Sequence, residues 1–235
     1  MSQPKYKRIL LKLSGEALAQ GADGILNHQF IATVAKVLKK CRDQNTEIAV
    51  IVGAGNIWRG RQGVSMDQTT ADHMGMLATT INSLALKDAF IRYGMDSEVL
   101  CSVNMEPFAE IFSKTKALNI IKDKIVIFAG GLGLPYFSTD TAAVHRAAEI
   151  GADMVLFAKN IDAIYTADPK LDPNAKKYDT ISYDEIITKE LKAVDLTAAA
   201  FAKENDIPIL CFGLADPENI FRAIMGESLG TILHK

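Results

Sequence analysis

Six short apolar runs recur along the chain and are separated by longer stretches of mixed polarity. The runs lie at residues 9–13, 47–52, 97–103, 124–129, 153–158 and 207–212. They are nearly continuous in Val, Ile, Leu and Phe, which is typical of parallel strands covered on both faces. The pattern therefore predicts a mainly parallel sheet with helices on either side.

The stretches between these runs predict helices. Their bounds are 28–45, 67–93, 105–117, 139–150, 195–205 and 216–225. Asp195 and Asp216 are candidate N-caps of the last two helices. The alternation of strand and helix predicts an α/β fold, a three-layer α/β/α sandwich with a mainly parallel central sheet, in a single domain of residues 1–235.

Residues 159–184 interrupt this alternation with a polar segment that contains Asp-Pro twice. A connection of this length is uncommon within a compact domain, and loops that follow strands often carry ligand-binding residues. We therefore expect part of a ligand site in this segment.

Composition narrows the class of ligand. The chain has 235 residues, 49% of them hydrophobic, so it can bury a large core. A formal charge of −2 does not provide the clustered positive charge that nucleic acid or an anionic membrane requires, so neither is an expected partner. Three widely spaced cysteines in apolar surroundings indicate neither a disulfide framework nor a zinc site, and a reducing compartment fits best.

The same sequence gives no sign of targeting to a membrane. No apolar run approaches the ~20 residues of a membrane span. The apolar run near the N-terminus is broken by Lys12 and followed by Ser-Gly-Glu, unlike a signal peptide. We therefore expect a cytoplasmic protein.

The first candidate site is Lys12-Leu13-Ser14-Gly15, where an apolar strand leads into a turn. A lysine at this point could stabilise transferring phosphoryl oxygens while the Gly15 amide contacts a phosphate. A strand-end lysine that extends into water explains Lys12 equally well.

A glycine-rich turn, Gly53-Ala54-Gly55, follows the second strand and leads to Arg59-Gly60. Glycine amides and a bidentate arginine suit a phosphate. Trp58 stands where the dinucleotide-binding fingerprint has its third glycine, so an NAD site is disfavoured. A tight turn with a surface arginine is the alternative interpretation.

Asp72 stands near the start of the helix predicted at 67–93. Its carboxylate could accept hydrogen bonds from ribose hydroxyls, although a carboxylate that initiates the helix is the plainer explanation. The neighbouring His73 has no partner at metal-ligand spacing, and Met74 and Met76 suit a core.

The segment Gly130–Asp140 follows the strand at 124–129 and contains three glycines. Tyr136 or Phe137 could stack on a flat ring, and Ser138-Thr139-Asp140 could cap the next helix. A cap does not account for the glycines and the paired aromatics, so a ligand-binding loop is favoured. The sequence contains neither a P-loop signature nor the protein-kinase motifs, so any phosphoryl chemistry must use another fold.

These segments resemble those of the bacterial uridylate kinases, a branch of the amino-acid-kinase family. The resemblance spans nearly the whole chain and rests on KRILLKLSGEAL, VGAGNIWRG, ADHMGMLAT, YFSTD, YTADP, ELKAVDLTA and MGESLGTIL, in this order. ADHMGMLAT together with YFSTD and YTADP is far more specific than a glycine loop alone. The resemblance implies ATP-dependent phosphorylation of UMP to UDP by direct in-line transfer.

The resemblance also implies a role for each motif. Lys12 would be the main electrostatic catalyst, and Arg59 would hold phosphates near the transfer point. Asp140 and Asp195 would be the carboxylates that orient Lys12 or the metal-bound phosphates. ATP would contact Lys12, Leu13, Ser14, Gly15, Gly55, Arg59, Lys159, Asn160, Tyr165 and Asp168. UMP would contact Ala54, Asp72, Leu132, Gly133, Leu134, Pro135, Tyr136, Phe137, Ser138 and Thr139.

The remaining implications concern the lobes, the metal and the assembly. Residues 1–150 would form a UMP-binding lobe and residues 151–235 an ATP-binding lobe, and Mg²⁺ would arrive with ATP. The family is hexameric, with UTP as an inhibitor. Residues 17–29 lack the glycine-phenylalanine-glycine pattern that the family links to activation by GTP, so that activation is not expected here.

Two other functions stay open on the sequence. A kinase of the same fold could phosphorylate a carboxylate or a carbamate, although such relatives lack ADHMGML. The chain could also be a pyrimidine-nucleotide sensor that contacts partner proteins or DNA, which its weak net charge and intact Lys12, Arg59, Asp140 and Asp168 disfavour.

Overall fold

A nine-stranded sheet forms the centre of the computed structural model, which describes residues 3–59, 65–169, 171–191 and 193–235. The strands are β1 (Arg8–Leu13), β2 (Glu47–Val52), β3 (Ser97–Cys101), β4 (Glu110–Ile111), β5 (Ile125–Ala129), β6 (Met154–Lys159), β7 (Thr180–Ser182), β8 (Ile209–Gly213) and β9 (Thr231–His234). Their order across the sheet is β4-β3-β5-β2-β1-β6-β8-β9-β7. All neighbouring pairs are parallel except β8 and β9.

Helices cover both faces of this sheet. They are α1 (Gly15–Ala19), α2 (His28–Asp43), α3 (Gln68–Arg92), α4 (Lys114–Ile120), α5 (Thr139–Ile150), α6 (Tyr183–Thr188), α7 (Leu196–Glu204) and α8 (Asn219–Ile224). One core joins the sheet to α2, α3 and α8, and a second core joins it to α4, α5, α6 and α7. The predicted three-layer α/β/α sandwich with a mainly parallel sheet is confirmed.

Side-chain alternation along β1 divides its residues between the two cores. Ile9, Leu11 and Leu13 pack beneath α2, whereas Leu10 packs on the side of α5. Lys12 has the same parity as Leu10, so its side chain leaves the sheet toward α5. Its strand neighbours in register are Ile51 of β2 and Phe157 of β6.

The six predicted strands are all present, and five of the six predicted helices match the structure to within a few residues. The helix predicted at 105–117 is wrong in its first part. Residues before Ser113 form a turn and the short edge strand β4, and α4 begins only at Lys114, where the Ser113 side chain accepts a hydrogen bond from the Lys116 amide.

The two predicted aspartate caps have different outcomes. Asp195 is the N-cap of α7, since its side chain accepts from the Ala198 amide. Asp216 is not the N-cap of α8, because its carboxylate accepts from the Glu218 amide one turn ahead of the helix. The sequence did not predict α1, α6, β7 or β9, each of which is six residues or shorter.

Candidate functional site

Five parallel strands, β1, β2, β5, β6 and β8, end along one edge of the sheet. Ligands of open α/β sheets bind beyond this carboxyl edge, where loops and helix N-termini offer free amides. Four of the five segments singled out in the sequence follow directly from these strands, and the fifth, which contains Asp72, lies on α3 near them. The fold therefore gathers the candidate residues into one region.

Lys12, Asp140 and Lys159 form an ion-pair group at the centre of this edge. Lys12 Nζ lies 2.9 Å from one carboxylate oxygen of Asp140, and Lys159 Nζ lies 3.3 Å from the other. Lys159 also donates to the carbonyl of Ala193. The three side chains are mostly buried, so two positive charges share one carboxylate in a region of restricted solvent access.

The charge state of Asp140 follows from this arrangement. Burial alone would raise the pKa of its carboxyl, but the charges and hydrogen bonds of Lys12 and Lys159 outweigh it, and the net pKa is lowered. Asp140 is therefore ionised at neutral pH and fixes the two lysines. One net positive charge is left over for an anionic ligand.

Two glycine turns meet beside Lys12 with no room for side chains. A Cβ added to Gly15 would lie 2.5 Å from the Gly53 carbonyl oxygen and 2.6 Å from the Gly55 nitrogen. The Gly53 amide donates to the Leu13 carbonyl at 3.0 Å. Only glycine permits this approach of the two backbones, which brings both turns to the central lysine.

Asn82, which the sequence analysis missed, supports the second turn from α3. It is fully buried, and its amide nitrogen donates to the Gly53 carbonyl and to the Asn56 side chain, each at 2.8 Å. Asn56 in turn donates to the Ile25 carbonyl at 2.6 Å. A polar residue within an apolar helix was the available signal, but the sequence did not reveal its partner.

Arg59 extends from the end of the same turn. Its guanidinium lies 2.5 Å from the Glu16 carboxylate, and about half of its side chain is exposed. Glu16 belongs to α1, directly after Gly15, so the ion pair closes over the two glycine turns. Gly60, the last residue of the predicted motif, lies outside the described residues.

Ser138 and Asp195 join α5 to α7 at the site. Ser138 is the N-cap of α5 and accepts from the amides of Asp140 and Thr141 at 3.0 and 3.2 Å. Its hydroxyl donates to Asp195, and Thr141 donates to the same carboxylate at 3.1 Å. Asp195 is therefore a structural acceptor that holds the N-terminus of α5 beside the lysine pair.

The described residues at this edge line a row of three adjoining cavities, and a further cavity of about 380 Å³ beside them is lined by Glu16, Gly55 and Arg59. The large cavity, about 850 Å³, lies over β6 and the segment 160–169. The central cavity, about 440 Å³, is lined by Gly53, Asp140, Asp195 and the N-terminus of α5. The small cavity, about 150 Å³, lies between α3 and the Gly130–Thr139 loop.

Shared lining residues connect the three cavities in series. Lys12 and Ser14 line both the large and the central cavity. Ser138 and Thr139 line both the central and the small cavity. A group bound in the large cavity and a group bound in the small cavity would therefore meet beside Lys12 and Asp140.

The predicted residues of the segment 159–168 all face the large cavity. Lys159, Asn160, Tyr165 and Asp168 are part of its lining. The Tyr165 hydroxyl donates to the Asp162 carboxylate at 3.0 Å, which raises the pKa of this phenol. The sequence did not single out Glu190 or Leu191, which complete the cavity from the end of α6.

The small cavity collects most of the residues predicted around the Gly130 loop. Ala54, Asp72, Leu132, Leu134, Phe137, Ser138 and Thr139 line it. Asp72 does not initiate α3, because Asp67 is the N-cap and accepts from the Thr70 amide. Instead, the Asp72 carboxylate accepts from the Tyr136 amide at 2.8 Å and so joins α3 to the loop.

Four predicted residues lie at the site without lining a cavity. Leu13 is buried in β1, and Gly133 packs under the loop against Ser102. Pro135 and Tyr136 stand at the loop tip, where the Tyr136 side chain is largely exposed. Trp58, in contrast, was set aside in the sequence and lines the small cavity, held by a hydrogen bond from its indole to the Ala71 carbonyl at 2.8 Å.

The acidic side chains of the site do not match the ligand set of a resident metal ion. Within the described ranges, no group of three or more His, Cys, Asp or Glu side chains is arranged to hold a metal ion. Asp140 is engaged by two lysines and Asp195 by two hydroxyls and an amide. These side chains do not form a protein cage for Mg²⁺.

None of the helices in the described part of the chain combines the length and the apolarity that crossing a bilayer requires.

The fold and the connected cavities place this chain among α/β proteins that bind phosphorylated ligands at the carboxyl edge of a parallel sheet. The sequence model of the amino acid kinase family matches residues 7–213, and the chain belongs to this family.

Solved structures agree with this assignment over the whole chain. A UMP kinase from Bacillus anthracis is 32% identical, with a TM-score of 0.94 over 97% of this chain and 96% of that one. A UMP kinase from Ureaplasma parvum is 35% identical, with a TM-score of 0.91 over all of both chains. A uridylate kinase from Archaeoglobus fulgidus is 27% identical, with a TM-score of 0.74 over 96% of this chain and 99% of that one.

Proposed function

We propose that this protein is a UMP kinase that transfers the terminal phosphoryl group of ATP to UMP. The observation that carries the proposal is the series of three cavities with Lys12, Asp140 and Lys159 at their junction. The likeness to UMP kinases along the full chain supports it and favours a nucleotide acceptor over a carboxylate or carbamate.

ATP occupies the large and central cavities in this proposal. The large cavity has the volume and the apolar lining of a nucleoside site, with Tyr165 and Asp168 at its wall. The triphosphate extends toward Lys12 and the amides of the glycine turns, and Mg²⁺ enters as part of the Mg-ATP substrate. The large cavity is lined mainly by residues after 158, which supports an ATP-binding lobe at 151–235.

UMP occupies the small cavity, with its phosphate at the N-terminus of α5. In this proposal Asp72 accepts hydrogen bonds from the ribose hydroxyls, and Leu132 and Phe137, which line the same cavity, provide apolar contacts. The amides beyond Ser138 favour an anion at this point. All lining residues of the small cavity lie between 54 and 139, which supports a UMP-binding lobe at 1–150.

Phosphoryl transfer requires mainly that the protein align the two substrates and stabilise negative charge. The acceptor oxygen of a phosphate is already ionised, so the step needs no general base. Lys12 stabilises negative charge on the transferring group, and Asp140 holds Lys12 in place. Arg59 holds phosphate oxygens once its ion pair with Glu16 gives way. The arrangement supports in-line transfer by alignment of the two substrates across the central cavity.

Assembly and regulation stay predictions. Leu77 and Ile81 of α3 are about half exposed, which is consistent with α3 as an interface element of a homohexamer. Inhibition by UTP and the absence of GTP activation are expected from the resemblance alone.

The proposed function is tested with a coupled assay of ADP release. Purified protein is supplied with Mg-ATP and, separately, with UMP, CMP, dTMP, aspartate, glutamate or carbamate. Selective turnover of UMP is the expected result. Turnover of a carboxylate or carbamate alone would mean that this compound, and not UMP, is the acceptor. Nucleotide binding with no turnover of any acceptor would favour a nucleotide sensor.

The substitution Asp72→Asn should raise the KM for UMP about tenfold and leave the KM for ATP unchanged. It removes a charged acceptor from the small cavity but keeps the side-chain shape, and a hydrogen bond to a charged group contributes roughly 1.5–3 kcal/mol. Both KM values are measured by steady-state kinetics. Trp58 is the chain's single tryptophan and lines the same cavity, so its fluorescence reports UMP binding directly.

Asp88→Asn is the matched control for this prediction. Asp88 lies on the same helix and pairs with Arg92 at 2.9 Å, but both side chains are exposed. We expect its kinetics to equal those of the wild type. An equal shift of both KM values in Asp72→Asn would count against a specific role in the acceptor site.

A further inference from the structure

Arg146 is a buried arginine in the middle of α5, outside the lining of all three cavities. Its residue is 5% exposed, and the guanidinium carbon lies 3.9 Å from the centre of the Phe112 ring. Nη1 donates to the Glu149 carboxylate, whereas Nε has no hydrogen-bond partner among the described residues. A buried charge with an unpaired donor costs stability relative to an apolar side chain of similar volume, so packing alone does not explain it.

The remaining nitrogen of Arg146 connects α5 to the Gly130–Thr139 loop. Nη2 donates to Ser102 Oγ at 3.0 Å, and Ser102 Oγ donates to the Gly131 carbonyl at 2.7 Å. A serine hydroxyl has one proton, which the Gly131 carbonyl accepts, so its oxygen lone pairs face the guanidinium. The hydrogen bonds therefore run in one direction, from a fixed cation through Ser102 to the loop.

The Gly130–Thr139 loop is held by contacts with residues outside the loop. Gly130, Gly131 and Gly133 have φ angles of +73°, +56° and +82°, a region that glycine enters without cost but does not prefer. The Gly130 amide is held by Thr79 Oγ1 at 3.0 Å, and a Cβ on Gly133 would lie 3.0 Å from the Ser102 Cβ. Thr79 and Ser102 thus hold the two sides of the turn that carries Leu132 into the small cavity.

We propose that Arg146 is a positioning residue for the acceptor nucleotide. Through Ser102 it fixes the backbone of Gly131 and Leu132, and thereby the width of the small cavity, without touching a substrate. This inference rests on the proposed function, since it takes the small cavity as the UMP site. Loss of either side chain should weaken UMP binding and leave ATP binding unchanged.

The experiment compares Ser102→Ala, Arg146→Met and the double variant. Each single variant should raise the KM for UMP about tenfold, with the same change in the Kd from Trp58 fluorescence and an unchanged KM for ATP. The double variant should be no worse than the poorer single variant, because both changes interrupt one chain of hydrogen bonds. Amide hydrogen exchange at residues 130–137 should become faster in all three.

Arg8→Met is the matched control. Arg8 begins β1, at the end away from the site, where it pairs with Glu47 at 2.6 Å and donates to the Ile150 carbonyl at the end of α5. Its loss therefore perturbs α5 far from the Gly130–Thr139 loop. We expect a lower melting temperature in this control and an unchanged KM for UMP.

The outcomes separate this inference from the proposed function. If the wild type turns over UMP but Ser102→Ala keeps the wild-type KM and loop exchange, the positioning role is overturned and the kinase assignment stands. If the wild type neither binds nor turns over UMP, the proposed function fails, and the role of Arg146 in UMP binding fails with it. Ser102→Ala carries the test alone if Arg146→Met does not fold.

Discussion

Lys12→Ala should lower kcat for UMP phosphorylation by about 10³-fold or more while the protein stays folded. Lys12 lies where the central and large cavities meet and lines both of them. Removal of one charged donor that acts chiefly in the transition state costs roughly 10²–10⁵ in rate in comparable sites. Asp140 keeps Lys159 as its partner at 3.3 Å, so the carboxylate is not left uncompensated.

The measurement is steady-state kinetics at saturating Mg-ATP and UMP, with a thermal unfolding curve for each variant. Lys124→Ala is the matched control, because Lys124 pairs with Glu98 at 2.9 Å at the opposite edge of the sheet. It should keep the wild-type kcat. Near-normal turnover by folded Lys12→Ala would remove Lys12 from the catalytic role, and a rise in KM with unchanged kcat would make it a binding residue only.

The position of Lys12 could be predicted from sequence because strand alternation and strand ends are local properties. A lysine within an apolar run, followed by Ser-Gly, predicts a charged side chain at the carboxyl edge of a sheet. Its pairing with Asp140 depends on α5 crossing over β1, a contact between residues far apart in the chain. The local pattern does not contain that crossing, and only the family resemblance pointed to Asp140.

Asp72 lies in the predicted region, but its local explanation from the sequence was wrong. The sequence placed it at the start of a helix, where a capping carboxylate is common. The helix begins where it was predicted, with Asp67 as its cap, so Asp72 lies within the first turns and its carboxylate bonds to the Tyr136 amide beside the small cavity. The helix boundary was predicted correctly, but the capping role belongs to Asp67 rather than to Asp72.

Two of the residues that sequence reasoning missed are polar groups that bond to backbone and line none of the three connected cavities. Asn82 supports Gly53, and Ser102 supports Gly131, each by one hydrogen bond to a carbonyl. Asn82 follows Ile81, Ser102 stands between Cys101 and Val103, and the partners of both lie on other elements. A polar residue in an apolar stretch indicates that some buried partner exists, but the fold is needed to identify it.

The error at 105–117 has a different physical cause. The helix was predicted because the stretch lies between two strands, and Met105, Phe108, Ala109 and Phe112 also repeat at helical spacing. The Phe112 amide instead donates to the Cys101 carbonyl at 2.8 Å, which continues the pairing of β4 with β3. The open edge of the sheet provided a stronger set of hydrogen bonds than one isolated helical turn, so tertiary context overrode the local period.

Asp140→Asn is the second change with a large expected effect, because one carboxylate balances two mostly buried lysines. Its loss should lower kcat by about 10²-fold or more, since Lys12 is then repelled by Lys159 and leaves its position. It should also lower the free energy of unfolding by about 3–5 kcal/mol at neutral pH, as expected when one partner of a buried ion pair is removed. Kinetics and denaturant unfolding measure the two effects separately.

Glu98→Gln is the matched control for charge and geometry. Glu98 also lies between two lysines, Lys87 and Lys124, each at 2.9 Å, and the two lysines lower the pKa of its carboxyl against the opposing effect of burial. All three side chains are about one third exposed, so water screens the group and the loss should be at most about 1 kcal/mol. Its kcat should equal that of the wild type. Equal destabilisation in both variants would mean that burial does not distinguish the two groups.

The pH dependence gives a further test of the same residue. The pKa of Asp140 in the folded protein is below its ordinary value of 3.8, so its ionised form stabilises the fold. That stabilisation is complete above the ordinary pKa and is lost as pH falls below it toward the depressed pKa. The difference in unfolding free energy between wild type and Asp140→Asn should therefore be constant from pH 7 to about 5 and shrink below pH 3.8. A difference that stays constant through the acid range would show that Asp140 contributes by packing, and its lysines would then be held by the hydrogen bond to Ala193 and by Phe157.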